Sequence, residues 1–68
     1  MLSISVIVVC LNEERNIRDC LETLAAQSYP REAFEVVVVD NGSTDATQDI
    51  VRAFAAGHDN VRLLVNPR

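Results

Sequence analysis

Two uninterrupted runs of β-branched residues, Val6-Ile7-Val8-Val9 and Val36-Val37-Val38-Val39, constrain this chain more than any other feature. A strand with one wet face alternates apolar and polar residues, whereas a continuous run offers water no polar face and reads as a strand covered on both sides. Between the runs, Ile17, Leu21, Leu24 and Ala25 recur at helical spacing, and Glu14, Arg18 and Glu22 lie four apart on the opposite face. Residues 14–27 therefore form an amphipathic helix. Pro30 cannot extend it, and Ser28-Tyr29-Pro30-Arg31 links it to the second run. A connection that carries a helix permits parallel pairing of the two strands, both of which read as central.

The second run ends in Asp40-Asn41-Gly42-Ser43-Thr44-Asp45, all turn formers or cap residues, and Ile50, Val51, Phe54 and Ala55 then repeat on one helical face. Asp45 with Gln48 three residues on fits a capping box, and Gly57 fits the left-handed position just past a helix end. Val61 to Val65, interrupted by Arg62, reads as a third strand that stops at Asn66-Pro67. The order is β-α-β-α-β, and right-handed crossovers wound in one direction give strand order 3-2-1. That is half of a three-layer, Rossmann-like, doubly wound parallel α/β sheet. Ligands of such sheets bind outside the carboxyl ends of the strands, which here carry residues 11–14 and 40–45. The first strand still needs a neighbour on its other side.

Composition removes several function classes. The net charge is −4, all six basic residues are scattered arginines and aromatic residues make up 4%, so neither a basic groove nor a stacking platform for nucleic acid exists. Cys10 and Cys20 have neither disulfide-framework nor zinc spacing and read as small buried hydrophobes. The apolar stretch around Val6 is far shorter than the ~20 residues of a membrane span, so no membrane segment is expected in this chain and its place is cytoplasmic, with the full-length protein open to membrane association. The turn Cys10-Leu11-Asn12-Glu13-Glu14-Arg15 has no glycine, and two carboxylates where a pyrophosphate would sit argue against a dinucleotide cofactor. The same turn suits the base and ribose end of a nucleotide: Glu13 can accept from sugar hydroxyls and Asp40 from a ring N–H.

Structural roles stand beside these. Asn12 reads as the cap of the first helix, Glu14 as a favourable charge at its N-terminus, and Ser43, Thr44 and Asp45 as turn and cap residues. His58 reads as a solvated residue at a helix end, and Tyr29 as a packing residue.

The segments Val6-Ile7-Val8-Val9-Cys10-Leu11-Asn12-Glu13-Glu14, Gln27-Ser28-Tyr29-Pro30 and Val39-Asp40-Asn41-Gly42-Ser43-Thr44-Asp45 together resemble the opening of family-2 glycosyltransferases of the GT-A fold. The resemblance covers essentially the whole chain, and makes residues 1–68 the first, incomplete part of a nucleotide-sugar-binding domain. It implies transfer of a sugar from a UDP- or GDP-sugar to an acceptor of unknown identity, with inversion. It further implies a nucleotide site at Cys10, Leu11, Glu13, Asp40 and Ser43, with Asp40 on the base, Glu13 near the ribose, and Cys10 and Leu11 forming the wall under the base. The family commonly has proline at the position of Val9 and tyrosine at that of Leu11, so a stacking ring is missing here. The family's aspartate-x-aspartate motif, which holds Mg²⁺ or Mn²⁺, is absent, so the metal belongs to the full-length enzyme, no catalytic residue is named, and the 68-residue chain alone is expected to be inactive.

Two readings from other classes compete. A magnesium-binding phosphoacceptor module would also gather Glu13, Glu14 and Asp40 at strand ends, though the chain has no lysine to meet a phosphoryl group. A non-catalytic assembly module would use the half-sheet as a surface. On every one of these readings, an unpaired strand edge and a sheet too apolar for two helices to cover on both faces predict self-association.

Overall fold

Each apolar run becomes a strand and each amphipathic pattern a helix. The computed structural model describes residues 4–27 and 30–66, which form β1 (Ile4–Cys10), α1 (Ile17–Ala25), a 3-10 turn (Arg31–Ala33), β2 (Phe34–Asp40), α2 (Thr47–Ala56) and β3 (Val61–Val65). Ser28 and Tyr29, part of the expected link, lie outside the described residues. All pairing is parallel, in the order β1-β2-β3, which is the 3-2-1 arrangement expected of right-handed crossovers.

Register and alternation set the two faces of the sheet. Val6 aligns with Val36 and Val61, Val8 with Val38 and Leu63, and Cys10 with Asp40 and Val65. These rows face the helices. Val36, Val38 and Val61 form one buried cluster with Ile17 and Leu21 of α1 and Val51 and Phe54 of α2. Both helices therefore lie on the same face, because two crossovers of one hand running in one direction stack on one side.

The opposite face carries Ile7, Val37 and Arg62 in one row and Val9, Val39 and Leu64 in the next. Val37 is buried between its neighbours, but Ile7 and Val9 are 58% and 64% exposed. The expectation that both valine-rich strands are central and covered on both faces is met only in part among the described residues: on the face away from the helices Val37 of β2 is buried and Val39 half-buried, and β1 fails it. β2 has a strand on each side, whereas β1 is at an edge and has only α1 and α2 beneath it. Cys20, expected to be buried, is exposed on α1.

The helix ends depart from the local sequence signals. α1 starts at Ile17 rather than at residue 14, after a turn in which the Glu13 carbonyl accepts from the N–H groups of Asn16 and Ile17 at 3.0 and 2.8 Å. Gly57 follows α2 with φ −101°, not in the left-handed region, and its N–H donates to the Phe54 carbonyl at 3.1 Å. His58 is half-buried rather than solvated, its ring stacked on Phe54 with centroids 4.0 Å apart. A Cβ on Gly57 would meet nothing closer than the Phe54 carbonyl oxygen at 3.9 Å. Gly57→Ala should therefore raise stability by about 0.4–1 kcal/mol through the unfolded chain's entropy, read as a higher melting temperature. A left-handed glycine would give the opposite sign.

Candidate functional site

Because Cys10 and Asp40 are register partners, the residues that follow them leave the sheet side by side. The ladder runs on past the strands: the Asn41 N–H donates to the Cys10 carbonyl at 3.0 Å and the Asn66 N–H to the Asp40 carbonyl at 2.7 Å. Two polar loops, residues 11–16 and 41–46, are thus held against each other at the carboxyl ends of the strands.

Asp40 is wholly buried. Its Oδ2 accepts from the Gly42 N–H at 3.1 Å, the Ser43 N–H at 2.8 Å and Nε2 of Gln48 at 2.7 Å. Its Oδ1 accepts from the Ser43 hydroxyl, with the Cys10 thiol at 3.6 Å. Burial pushes the carboxyl pKa up, but the Ser43 hydroxyl and N–H, the Gln48 amide and the Gly42 N–H outweigh it and hold the group down at about 2. A carboxylate offers about four lone-pair sites, and five donors already occupy this one. Asp40 therefore has no acceptor left for the N–H of a base. The direct contact expected above does not fit this geometry, and Asp40 holds the loop that follows it instead.

Cys10 is buried beside it. Burial, then the Asp40 charge and the hydrogen bond to Asp40, push the thiol pKa up to about 11, so Cys10 stays a neutral thiol at ordinary pH. It lies beneath the strand end as a floor.

Two relays cross between the loops. The Asn12 N–H donates to Oγ of Ser43 at 2.8 Å, and that hydroxyl donates to Asp40. The Glu13 N–H donates to Oγ1 of Thr47 at 2.8 Å, and that hydroxyl donates to Asp45. In each, a main-chain donor reaches a buried or anchored carboxylate through a hydroxyl that both accepts and donates, so each bond polarises the next. Three further bonds join the same loops: Thr44 N–H to Oδ1 of Asn12 at 2.8 Å, Ala46 N–H to Oε1 of Glu14 at 3.0 Å, and Glu14 N–H to Oδ2 of Asp45 at 3.3 Å. Burial raises the Asp45 pKa, but the Thr47 hydroxyl and N–H and the Glu14 N–H outweigh it and bring the carboxyl below its ordinary value.

Asn12 does not cap α1, because its side chain serves the other loop. Asp45 does act at the start of α2 as a cap residue would, its Oδ1 accepting from the Thr47 N–H at 2.9 Å, but Gln48 turns to Asp40 and completes no capping box. Thr47 is the structural member that sequence reasoning missed, and Gln48 and Glu14, read as a capping-box partner and a helix-terminus charge, hold Asp40 and the Ala46 N–H instead. The signal available was the density of short polar side chains at two strand ends that parallel pairing must bring together.

The remaining expected site residues are accessible. Leu11 is 40% exposed. The Glu13 carboxylate has no hydrogen-bond or ion-pair partner among the described residues and lines a cavity of ≈ 190 Å³ with Val8, Val9, Cys10, Ile17 and Cys20 at the open edge of β1. Small-ligand sites run to ~300–1,000 Å³, so this cavity by itself is smaller than the site of a whole drug-sized ligand. Among the described residues no three His, Cys, Asp or Glu side chains gather to hold a metal ion. Asp40 and Asp45 are turned onto N–H and O–H donors, and the implied Mg²⁺ or Mn²⁺ does not fit them. No described helix is long and apolar enough to cross a membrane.

Known proteins share both this sequence and this arrangement. The chain is 45% identical over 62 residues to Glycosyltransferase AglE of Haloferax volcanii, covering 91% of this chain and 20% of that protein. It is 48% identical over 54 residues to a poly(ribitol-phosphate) β-N-acetylglucosaminyltransferase, TarS, of Staphylococcus aureus, covering 79% of this chain and 9% of that protein. Among solved structures, the mannosyltransferase PcManGT of Pyrobaculum calidifontis, in complex with GDP-Man and Mn²⁺, superposes with a TM-score of 0.85 at 40% identity, over 93% of this chain and 19% of that one. S. aureus TarS 1-349 in complex with UDP-GlcNAc gives 0.79 at 40% identity, over 98% of this chain and 18% of that one. The chain thus spans a fifth or less of the length of these relatives. Their α/β architecture is that of GT-A glycosyltransferases, as the parallel β1-β2-β3 sheet is here. The profile of glycosyl transferase family 2 aligns with residues 5–68, nearly the whole chain and both latched loops, and on that ground the chain belongs to glycosyl transferase family 2.

Proposed function

We propose that this chain forms the nucleotide-facing part of an enzyme that transfers a sugar from UDP or GDP to an acceptor with inversion. One observation carries the reading: two loops locked into a single platform at the carboxyl ends of parallel strands, in a chain of family 2, with an open cavity at the β1 edge. The carboxyl ends of the strands are where an open α/β sheet takes its ligand. Solved neighbours bound to GDP-Man and UDP-GlcNAc support a nucleoside-diphosphate sugar as the ligand class.

In this reading Glu13 accepts from ribose hydroxyls and Leu11 covers one face of the base. Cys10 and Asp40 lie beneath them as floor and anchor, and Ser43 ties the two loops together. The ion is held elsewhere in the whole protein. Buried Asp40 has no room to act as a phosphoacceptor, which disfavours the magnesium-module alternative.

Calorimetric titration of the intact protein with UDP and GDP tests the assignment. Glu13→Ala removes charged acceptors but leaves the main-chain bonds of residue 13, so the fold should persist. Affinity should fall roughly tenfold, the lower end for a hydrogen bond to a charged group at an exposed site. Unchanged affinity in folded Glu13→Ala protein would remove Glu13 from the site.

A further inference from the structure

We propose that Asn12 is a positioning residue for the nucleotide, setting the direction in which Leu11 and Glu13 leave the strand end, so that affinity depends on its side chain. The proposal rests on the nucleotide-binding reading above. Asn12 has φ +53° and is the only non-glycine residue with positive φ among those described. Left-handed backbone is costly for most side chains, and asparagine is among the few that adopt it readily.

The inversion at Asn12 lets one residue grip two consecutive residues of the opposite loop. Its main-chain N–H donates to Oγ of Ser43, and its side-chain Oδ1 accepts from the N–H of Thr44, both at 2.8 Å. Attachment at two points fixes orientation as well as distance. The residues on either side, Leu11 and Glu13, are both exposed at the strand end. A rotation about Asn12 would change the direction of Leu11 and Glu13 relative to each other and to the loop after β2. In this role Asn12 acts through its neighbours.

Three side chains separate the elements of this role. Glycine supplies the positive φ without the acceptor, and aspartate supplies the acceptor and tolerates the φ. Serine has a hydroxyl too short to reach Thr44, and replaces glycine should N12G fail to fold. The intact protein and these variants are titrated with UDP and with GDP, and amide hydrogen exchange at Thr44 is followed in parallel.

N12G should lose protection at Thr44 and bind nucleotide roughly fivefold more weakly, the loss of about one neutral hydrogen bond's worth of ordering, while N12D retains both. A merely structural role would lower stability and leave the affinity of the folded protein alone. Full nucleotide affinity in folded N12G with an unprotected Thr44 amide overturns the proposal and leaves the nucleotide reading standing. N12D as weak as N12G also overturns it. A parent protein that binds neither nucleotide overturns the nucleotide reading and this proposal together.

Discussion

Replacing Asp40 by alanine should cost on the order of 3–5 kcal/mol of folding stability, measured by chemical denaturation, before any question of ligand affinity arises. The substitution strips partners from the N–H groups of Gly42 and Ser43, the Ser43 hydroxyl and the Gln48 amide at a wholly buried position. Each donor left unpaired costs about 1–3 kcal/mol, less where water can enter. Asp40→Asn is close to isosteric, yet it too should destabilise, by about 2–3 kcal/mol, because its NH₂ group must face donors on one side of the former carboxylate. A base-contacting carboxylate would show the reverse pattern, with Asp40→Asn folding normally and losing only nucleotide affinity. An Asp40→Asn protein as stable as the parent would show that the network around Asp40 contributes little.

Acid should unfold the chain over a predictable window. The folded pKa of Asp40 lies at about 2 against 3.8 for the ordinary group, so the native state binds this proton less readily than the unfolded chain. A depressed carboxyl contributes its full stability above the unfolded pKa and loses it as pH falls through the folded one. At ~1.4 kcal/mol per pH unit, Asp40 contributes about 2 kcal/mol at neutral pH, lost between roughly pH 4 and pH 2. Asp45, depressed in the same direction, steepens the loss. Denaturation midpoints measured down the pH scale should fall across that window in the parent and much less in Asp40→Asn. At the alkaline end the sign comes from Cys10, whose thiol is raised from 9.0 to about 11: that stabilisation is present below pH 9 and fades above it.

The fold was legible because its signals are local. Four consecutive valines at 36–39 and apolar positions three and four apart in each helix are read without knowing what touches what, and strand order then follows from handedness. The exposure of Ile7 and Val9 was not legible, because a β-branched run says that a strand can be covered on both faces without saying by what.

The site was half legible. Its location at two strand ends followed from the topology, and Leu11 and Glu13 are accessible there as expected. The roles of the polar residues were misread wherever a side chain serves the other loop instead of its own helix. Asn12 and Glu14 have types and positions that suit a helix N-terminus, yet each bonds a residue about thirty positions away. Asp45 does both, accepting from the Thr47 N–H beside it and from the Glu14 N–H of the other loop. Asp40 was read as free to meet a ligand because no helix begins beside it. Its donors are the turn N–H groups two and three residues on, the Ser43 hydroxyl and a glutamine in the first turn of α2. Such turn-back bonding is available to any aspartate followed by glycine and serine.

The central claim is that residues 11–14 and 40–44 form one nucleotide platform, and amide chemical-shift mapping of the intact protein with UDP and GDP tests it most directly. Shifts that saturate together at Leu11, Glu13, Asn41, Gly42 and Ser43, without added metal, are the predicted result. Contradiction would come from shifts centred on the groove between α1 and α2, at Arg18, Ala53 and His58, or from no shift at any residue with either nucleotide.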